Sequence, residues 1–287
     1  MKRIAVLGTG AMGSRVARNL LKANYPVIVY NRTVARAQFL LALGATYAAT
    51  PREAAEQADV VISMVTQDEA SRAVWLAPGV GAVAGLDKNT IAIESSTLTV
   101  DWTKELGAAI TTRGAAFLDA PVVGSRPQAE ASKLIYLVGG KPEALIQVEA
   151  CLQASGTVYP VGAVGEGMTM KLAVNALFGI QVAALAEILG MLNGQGIALD
   201  KALSCLNELP IMSPAARGAA GLMMQNNHSP LFPIELVTKD FRYAVQTVPR
   251  GEVVMPATAA IREVYQTAIA QGYGSDNMTA VMRLFLD

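Results

Sequence analysis

The sequence predicts an α/β protein: an N-terminal doubly wound sheet over residues 1–163, a long interdomain helix over 164–194, and an all-α C-terminal domain over 195–287. Three observations predict it. Short aliphatic runs alternate with helix-length segments as far as Val161, the pattern of a sheet wound with helices. Glycines open and close the stretch from Gly165 to Gly194, and good helix formers fill it, enough for roughly 40 Å of helix. Beyond it β signals stop, and prolines such as Pro210, Pro214, Pro233 and Pro256 separate segments with helical spacing.

Composition narrows the function classes. The chain has 287 residues, room for two domains, with 23 basic and 23 acidic residues and a formal net charge of zero. Nothing therefore draws it as a whole to nucleic acid or to an anionic membrane. Its two cysteines, Cys151 and Cys205, are far apart with no CxxC pair, and Met1-Lys2-Arg3 runs directly into a strand, so a cytoplasmic protein is expected. Leu172 to Leu192 is apolar enough to raise a membrane span, but Asn175, Gln181 and Glu187 would each be costly in hydrocarbon. A helix buried between domains or subunits is expected instead. The single histidine, His228, lies in a polar loop and reads as exposed, which leaves no metal site and no Ser-His-Asp triad.

The elements follow in order. Lys2 to Leu7 reads as a buried strand, Gly8-Thr9-Gly10-Ala11-Met12-Gly13 as a turn, Ser14 to Ala23 as a helix and Val27 to Tyr30 as the second strand. Together they form a βαβ dinucleotide unit of the Rossmann type. Gly8 permits the tight turn, Gly10 the approach of a pyrophosphate, Gly13 the close packing of helix on strand, and the phosphates would sit on the helix N-terminus. NAD sites usually carry an acid at the end of the second strand, whereas this chain has Asn31-Arg32-Thr33. Arg32 can pair with a 2′-phosphate and Asn31 and Thr33 can hydrogen-bond it, so NADP is the expected cofactor. Strands at Val60 to Val65 and Thr90 to Glu94 should place Met64, Val65, Thr66, Ser96 and Thr97 on the nicotinamide side, at the carboxyl ends where ligands gather. Exposed amides around Gly124 and Ser125 could form an anion nest for a substrate carboxylate. Leu134 to Val138 and Thr157 to Val161 read as closing strands, and Met278 to Leu286 as a final docking helix.

Lys171 and Asn175 stand at i and i+4 near the N-terminus of the long helix, on one face. The positive end of the helix dipole and partial burial both disfavour an ammonium there, which suits it to donate a proton.

The residues resemble the β-hydroxyacid dehydrogenases, a family that includes 3-hydroxyisobutyrate dehydrogenase and the glyoxylate and succinic semialdehyde reductases. The resemblance spans essentially the whole chain. It rests on Gly8 to Gly13, Asp119-Ala120-Pro121-Val122-Val123-Gly124-Ser125, Gly165 to Asn175, and Phe232 to Asp240. It implies Lys171 as proton donor and acceptor, Asn175 as a substrate residue, and Thr97 and Lys239 at the cofactor. Val123 stands where the family commonly has a serine, so carboxylate recognition is weakened or shifted to Ser125. Gly124 to Glu130 looks more like the glyoxylate and succinic semialdehyde reductase branch, which also uses NADPH. Val174, where 6-phosphogluconate dehydrogenases carry histidine, argues against phosphorylated sugar acids. The expected function is therefore an NADPH-dependent reductase of small carboxylate-bearing aldehydes or keto acids, reversible as a hydroxyacid dehydrogenase. Its rivals are an imine reductase and a non-catalytic NADPH-binding regulatory module. A homodimer or homotetramer is expected from the apolar long helix and the methionine-rich second half.

Overall fold

The computed structural model describes residues 1–248 and 254–286. It divides into two units, Met1–Lys171 and Leu172–Asp287.

In the first unit β1 (Ile4–Leu7) leads through the glycine turn into α1 (Gly13–Lys22) and β2 (Val27–Tyr30). There follow α2 (Gln38–Ala42), β3 (Thr46–Tyr47), α3 (Pro51–Glu56), β4 (Val60–Ser63), α4 (Asp68–Leu76), β5 (Ile91–Glu94) and α5 (Val100–Thr112). The unit continues with β6 (Ala116–Asp119), β7 (Val122–Val123), α6 (Arg126–Glu130), β8 (Leu134–Gly140), α7 (Pro142–Gln153) and β9 (Gly156–Gly162). The sheet runs β3-β2-β1-β4-β5-β6-β8-β7, with β9 on β8. Strands β1 to β6 pair in parallel. Every residue of β1, β4 and β5 is buried, which is why these strands read as apolar runs, with polar residues only at the ends of β4 (Ser63) and β5 (Glu94), rather than as alternating ones. The order reverses at β1, flanked by β2 and β4, and the carboxyl ends of strands at such a switch point are where doubly wound sheets bind ligands. The parallel winding stops at β8, which is antiparallel to β6 and β7. Between β6 and β8 the chain folds back through β7 and the short α6, with no long crossover helix to return it in the same direction.

Helix α8 (Glu166–Gly194) is continuous and longer than any other helix described. Its length and composition would allow a membrane crossing, yet half of its most apolar window is buried within the protein.

In the second unit α8 is followed by α9 (Leu199–Glu208), α10 (Pro214–Met224), α11 (Ile234–Thr247) and α12 (Pro256–Ala270). Val182, Ala186 and Leu189 of α8 share a core with Val237, Phe241, Tyr265 and Met223. Gly179 is required for this packing, since a Cβ there would lie 2.4 Å from the Phe241 ring. The final docking helix is a 3₁₀ helix, Met278–Leu284. Its residues Met278 to Met282 are all buried, and backbone bonds from Asn277 to His228 and from Met278 to Phe232 tie it to the preceding loop. His228 is buried, not exposed. The Thr279 hydroxyl accepts from Asn277 Nδ2 at 2.9 Å and lies 3.0 Å from His228 Nδ1. Burial together with Arg283 pushes the pKa of the imidazole below 6.5.

Candidate active site

The glycine turn has the shape a dinucleotide needs. Gly8 adopts φ +100°, and a Cβ there would lie 2.5 Å from the Met64 carbonyl oxygen. At Gly13 a Cβ would meet the Gly8 carbonyl at 2.0 Å, whereas nothing lies within 4 Å of the position at Gly10. Two glycines are thus forced by the protein's own packing, and the third faces open space where a pyrophosphate can approach the backbone. Thr9 is buried and its hydroxyl oxygen has no partner, while Ala11 is exposed and Met12 half-buried at the start of α1.

The trio after β2 combines one anchored and two exposed side chains. Asn31 Oδ1 accepts from the Thr9 amide at 3.0 Å, and its Nδ2 donates to the Thr33 carbonyl at 2.9 Å. Asn31 is therefore a strap between the glycine turn and the next loop. Arg32 and Thr33 are exposed beside it.

At the carboxyl ends of β4 and β5, Met64 is buried and its amide continues the ladder to Leu7. Thr66 is exposed and Thr97 half-buried, one on each loop. Ser96, expected on the nicotinamide side, is buried, and its hydroxyl accepts from the Val65 amide at 2.8 Å, so it bridges the loops after β4 and β5.

After β6, Val123 is half-buried and Gly124 takes φ +118°. The amide of Ser125 donates to Gln128 Oε1 at 2.9 Å, which removes one donor from the anticipated nest. The loop is clipped to α1 by Arg15 on Glu130 at 2.6 Å and by Asn19 Nδ2 on the Ala129 carbonyl at 2.7 Å. Asp119, buried at the end of β6, accepts from the amides of Gly165 and Met168, both at 2.8 Å, and so caps α8. Burial pushes its carboxyl up, partly offset by those two amides. The sequence marked Asp119 only as part of a motif. Its partners lie 46 and 49 residues away.

Lys171 is buried on α8 where the first unit ends, and Asn175, also buried, lies four residues on in the second. Within the second unit Asn175 Nδ2 donates to Asp240 Oδ2 at 2.6 Å, and Lys239 Nζ lies 3.0 Å from Asp240 Oδ1. Lys239 also stands 4.9 Å from the centre of the Tyr243 ring. Asp240, which sequence reasoning gave no role, thus orients one predicted substrate residue and one predicted cofactor residue.

Sheet order, glycine turn and capped helix define a dinucleotide-binding α/β protein. Residues 3–165 match the NAD binding domain of 6-phosphogluconate dehydrogenase, and residues 165–285 the NAD-binding domain of NADP-dependent 3-hydroxyisobutyrate dehydrogenase. The chain is 29% identical over 280 residues to glyoxylate/succinic semialdehyde reductase 1 of Arabidopsis thaliana, covering 97% of this chain and 96% of that one. It is 31% identical over 286 residues to the human cytokine-like nuclear factor N-PAC, covering 99% of this chain and 52% of that protein. It therefore spans about half the length of its nuclear-factor relatives. The solved 3-hydroxyisobutyrate dehydrogenase of Mycobacterium tuberculosis with L-serine superposes with a TM-score of 0.90 at 25% identity, over 99% of both chains. The chain belongs to the β-hydroxyacid dehydrogenase family, and both domains that it matches are NAD-binding ones.

Proposed function

We propose that the protein is an NADPH-dependent reductase of small carboxylate-bearing aldehydes or keto acids, such as glyoxylate or succinic semialdehyde, working reversibly as a hydroxyacid dehydrogenase. The observation that carries this reading is the pair Lys171 and Asn175, both buried and one helical turn apart on α8. The bound dinucleotide supplies the hydride that the carbonyl carbon receives. Lys171 gives its proton to the carbonyl oxygen as negative charge develops there, and takes it back in the reverse direction. Asn175, its amide held at 2.6 Å by Asp240, orients the substrate. Arg32 and Thr33, exposed after β2 where an NAD site would carry an acid, favour the 2′-phosphate. The carboxylate is assigned to Gly124 and the Ser125 hydroxyl.

The likeness to nuclear factors favours a second reading, a dinucleotide-binding module without turnover. One experiment separates the two. NADPH oxidation is screened against glyoxylate, succinic semialdehyde and cyclic imines with the unaltered chain and with Lys171→Met. Turnover of an aldehyde should fall about a hundredfold to ten-thousandfold in Lys171→Met while NADPH affinity is kept. Binding without oxidation of any compound would establish the module, and imine turnover alone an imine reductase.

A further inference from the structure

Glu94 ends β5 and is fully buried. Its Oε2 accepts from the Ser71 hydroxyl at 2.7 Å and from the Trp75 indole N–H at 2.9 Å, and its Oε1 accepts from the Ser96 amide at 2.9 Å. Ser71 and Trp75 lie on α4, so one carboxylate joins that helix to the loop after β5. Ser96 carries the connection onward, because its hydroxyl accepts from the Val65 amide in the loop after β4. Asp68, at the start of α4, adds a second tie by accepting from the Thr99 amide at 3.0 Å and the Thr99 hydroxyl at 2.6 Å.

Burial pushes the Glu94 carboxyl up, and its hydrogen bonds pull the other way. An apolar side chain of similar size would fill the same space without that desolvation cost. What the carboxylate adds is a fixed separation between the two loops that carry Thr66 and Thr97.

We propose that Glu94 is a positioning residue for the dinucleotide: through Ser96 and Val65 it sets the loops that receive the nicotinamide half, and so governs cofactor affinity rather than carbonyl recognition. This rests on the assignment of Thr66 and Thr97 to the cofactor. Gln at this position keeps the size but has one acceptor oxygen. Two donors, the Ser71 hydroxyl and the Trp75 N–H, face one oxygen and only the Ser96 amide faces the other, so the Gln oxygen turns to α4 and its NH₂ meets the Ser96 amide, donor against donor.

The test is fluorescence titration of the full chain with NADPH, alongside thermal melting. Glu94→Gln should raise the NADPH Kd about tenfold, the order of one lost hydrogen bond to a charged group, and leave the KM for the carbonyl compound unchanged at saturating NADPH. Ser71→Ala removes a bond only on the far oxygen and should lower Tm with Kd unchanged. Wild-type affinity in Glu94→Gln would overturn the proposal. So would a loss of affinity in Ser71→Ala equal to that in Glu94→Gln, because the cluster would then be merely structural. Should Glu94→Gln not fold, Ser96→Ala breaks the same link one bond further on, and an unchanged Kd there would overturn the proposal equally. If the unaltered chain binds neither NADPH nor NADH, the cofactor assignment itself falls. If it binds and the variants bind alike, only the role of Glu94 falls.

Discussion

Asp119→Asn tests how the first unit holds the helix that bears Lys171. The carboxylate accepts from the amides of Gly165 and Met168, one on each oxygen, at 2.8 Å. Glycine is needed on both sides of it, since a Cβ at Gly139 would lie 2.5 Å from one oxygen and a Cβ at Gly167 2.9 Å from the other. Asparagine therefore keeps the shape but sets an NH₂ against a backbone N–H in either orientation. A lost bond to a charged group is worth about 1.5 to 3 kcal/mol, and an unsatisfied buried donor adds to it. The neutral side chain recovers part of this, because burial already pushes the carboxyl up. The net destabilisation should be about 1 to 3 kcal/mol, felt first at the start of α8. In a chain of two units a single unfolding midpoint mixes both, so amide hydrogen exchange is the better assay. Exchange at Gly165 and Met168 should quicken by about ten- to a hundredfold if opening there is local. Unchanged protection at both amides would show that the cap does not hold the helix, and the reasoning would fail.

Three further outcomes are expected. NADPH should bind about tenfold to a hundredfold more tightly than NADH, and Arg32→Ala should remove the difference by weakening NADPH alone; equal affinities in the unaltered chain would refute the assignment of Arg32. The lowered pKa of His228 means that the unfolded chain binds a proton the folded one excludes, so stability present above about pH 6.5 should drain away as the pH falls through the folded value. His228→Gln should flatten that acid limb in a urea-midpoint titration, and an unaltered limb would acquit the histidine. We also propose a homodimer or homotetramer built through the second unit, because Leu177, Ile188 and Met191 of α8 are exposed apolar side chains; Leu177→Lys should weaken assembly, whereas light scattering that finds the unaltered chain monomeric at micromolar concentration would end the idea.

Much of this was legible in the sequence because it is local. The glycine turn announces itself within six residues, since backbone geometry at Gly8 and close packing at Gly13 each exclude a side chain. Helix α9 falls on the stretch its spacing marks, Leu199–Glu208, because an amphipathic face needs only near neighbours in the chain. The short β3 and β7 were not legible, because two residues carry no periodicity and their existence is decided by the strand beside them. Nor was the antiparallel β8, whose direction depends on how the chain returns from β6 rather than on its own residues. The same reason governs the polar side chains. Nothing local shows that the Asn31 oxygen accepts from the Thr9 amide, 22 residues earlier. Asp240 follows Lys239 in the chain and resembles half of a surface ion pair, which would be worth little. Only the fold brings Asn175 to it from 65 residues away, and burial turns the pair into an orienting contact. A buried carboxylate with two partners cannot lose one without leaving charge uncompensated. The geometry of Asn175 and Lys239 is consequently set by a residue whose importance no local pattern could reveal.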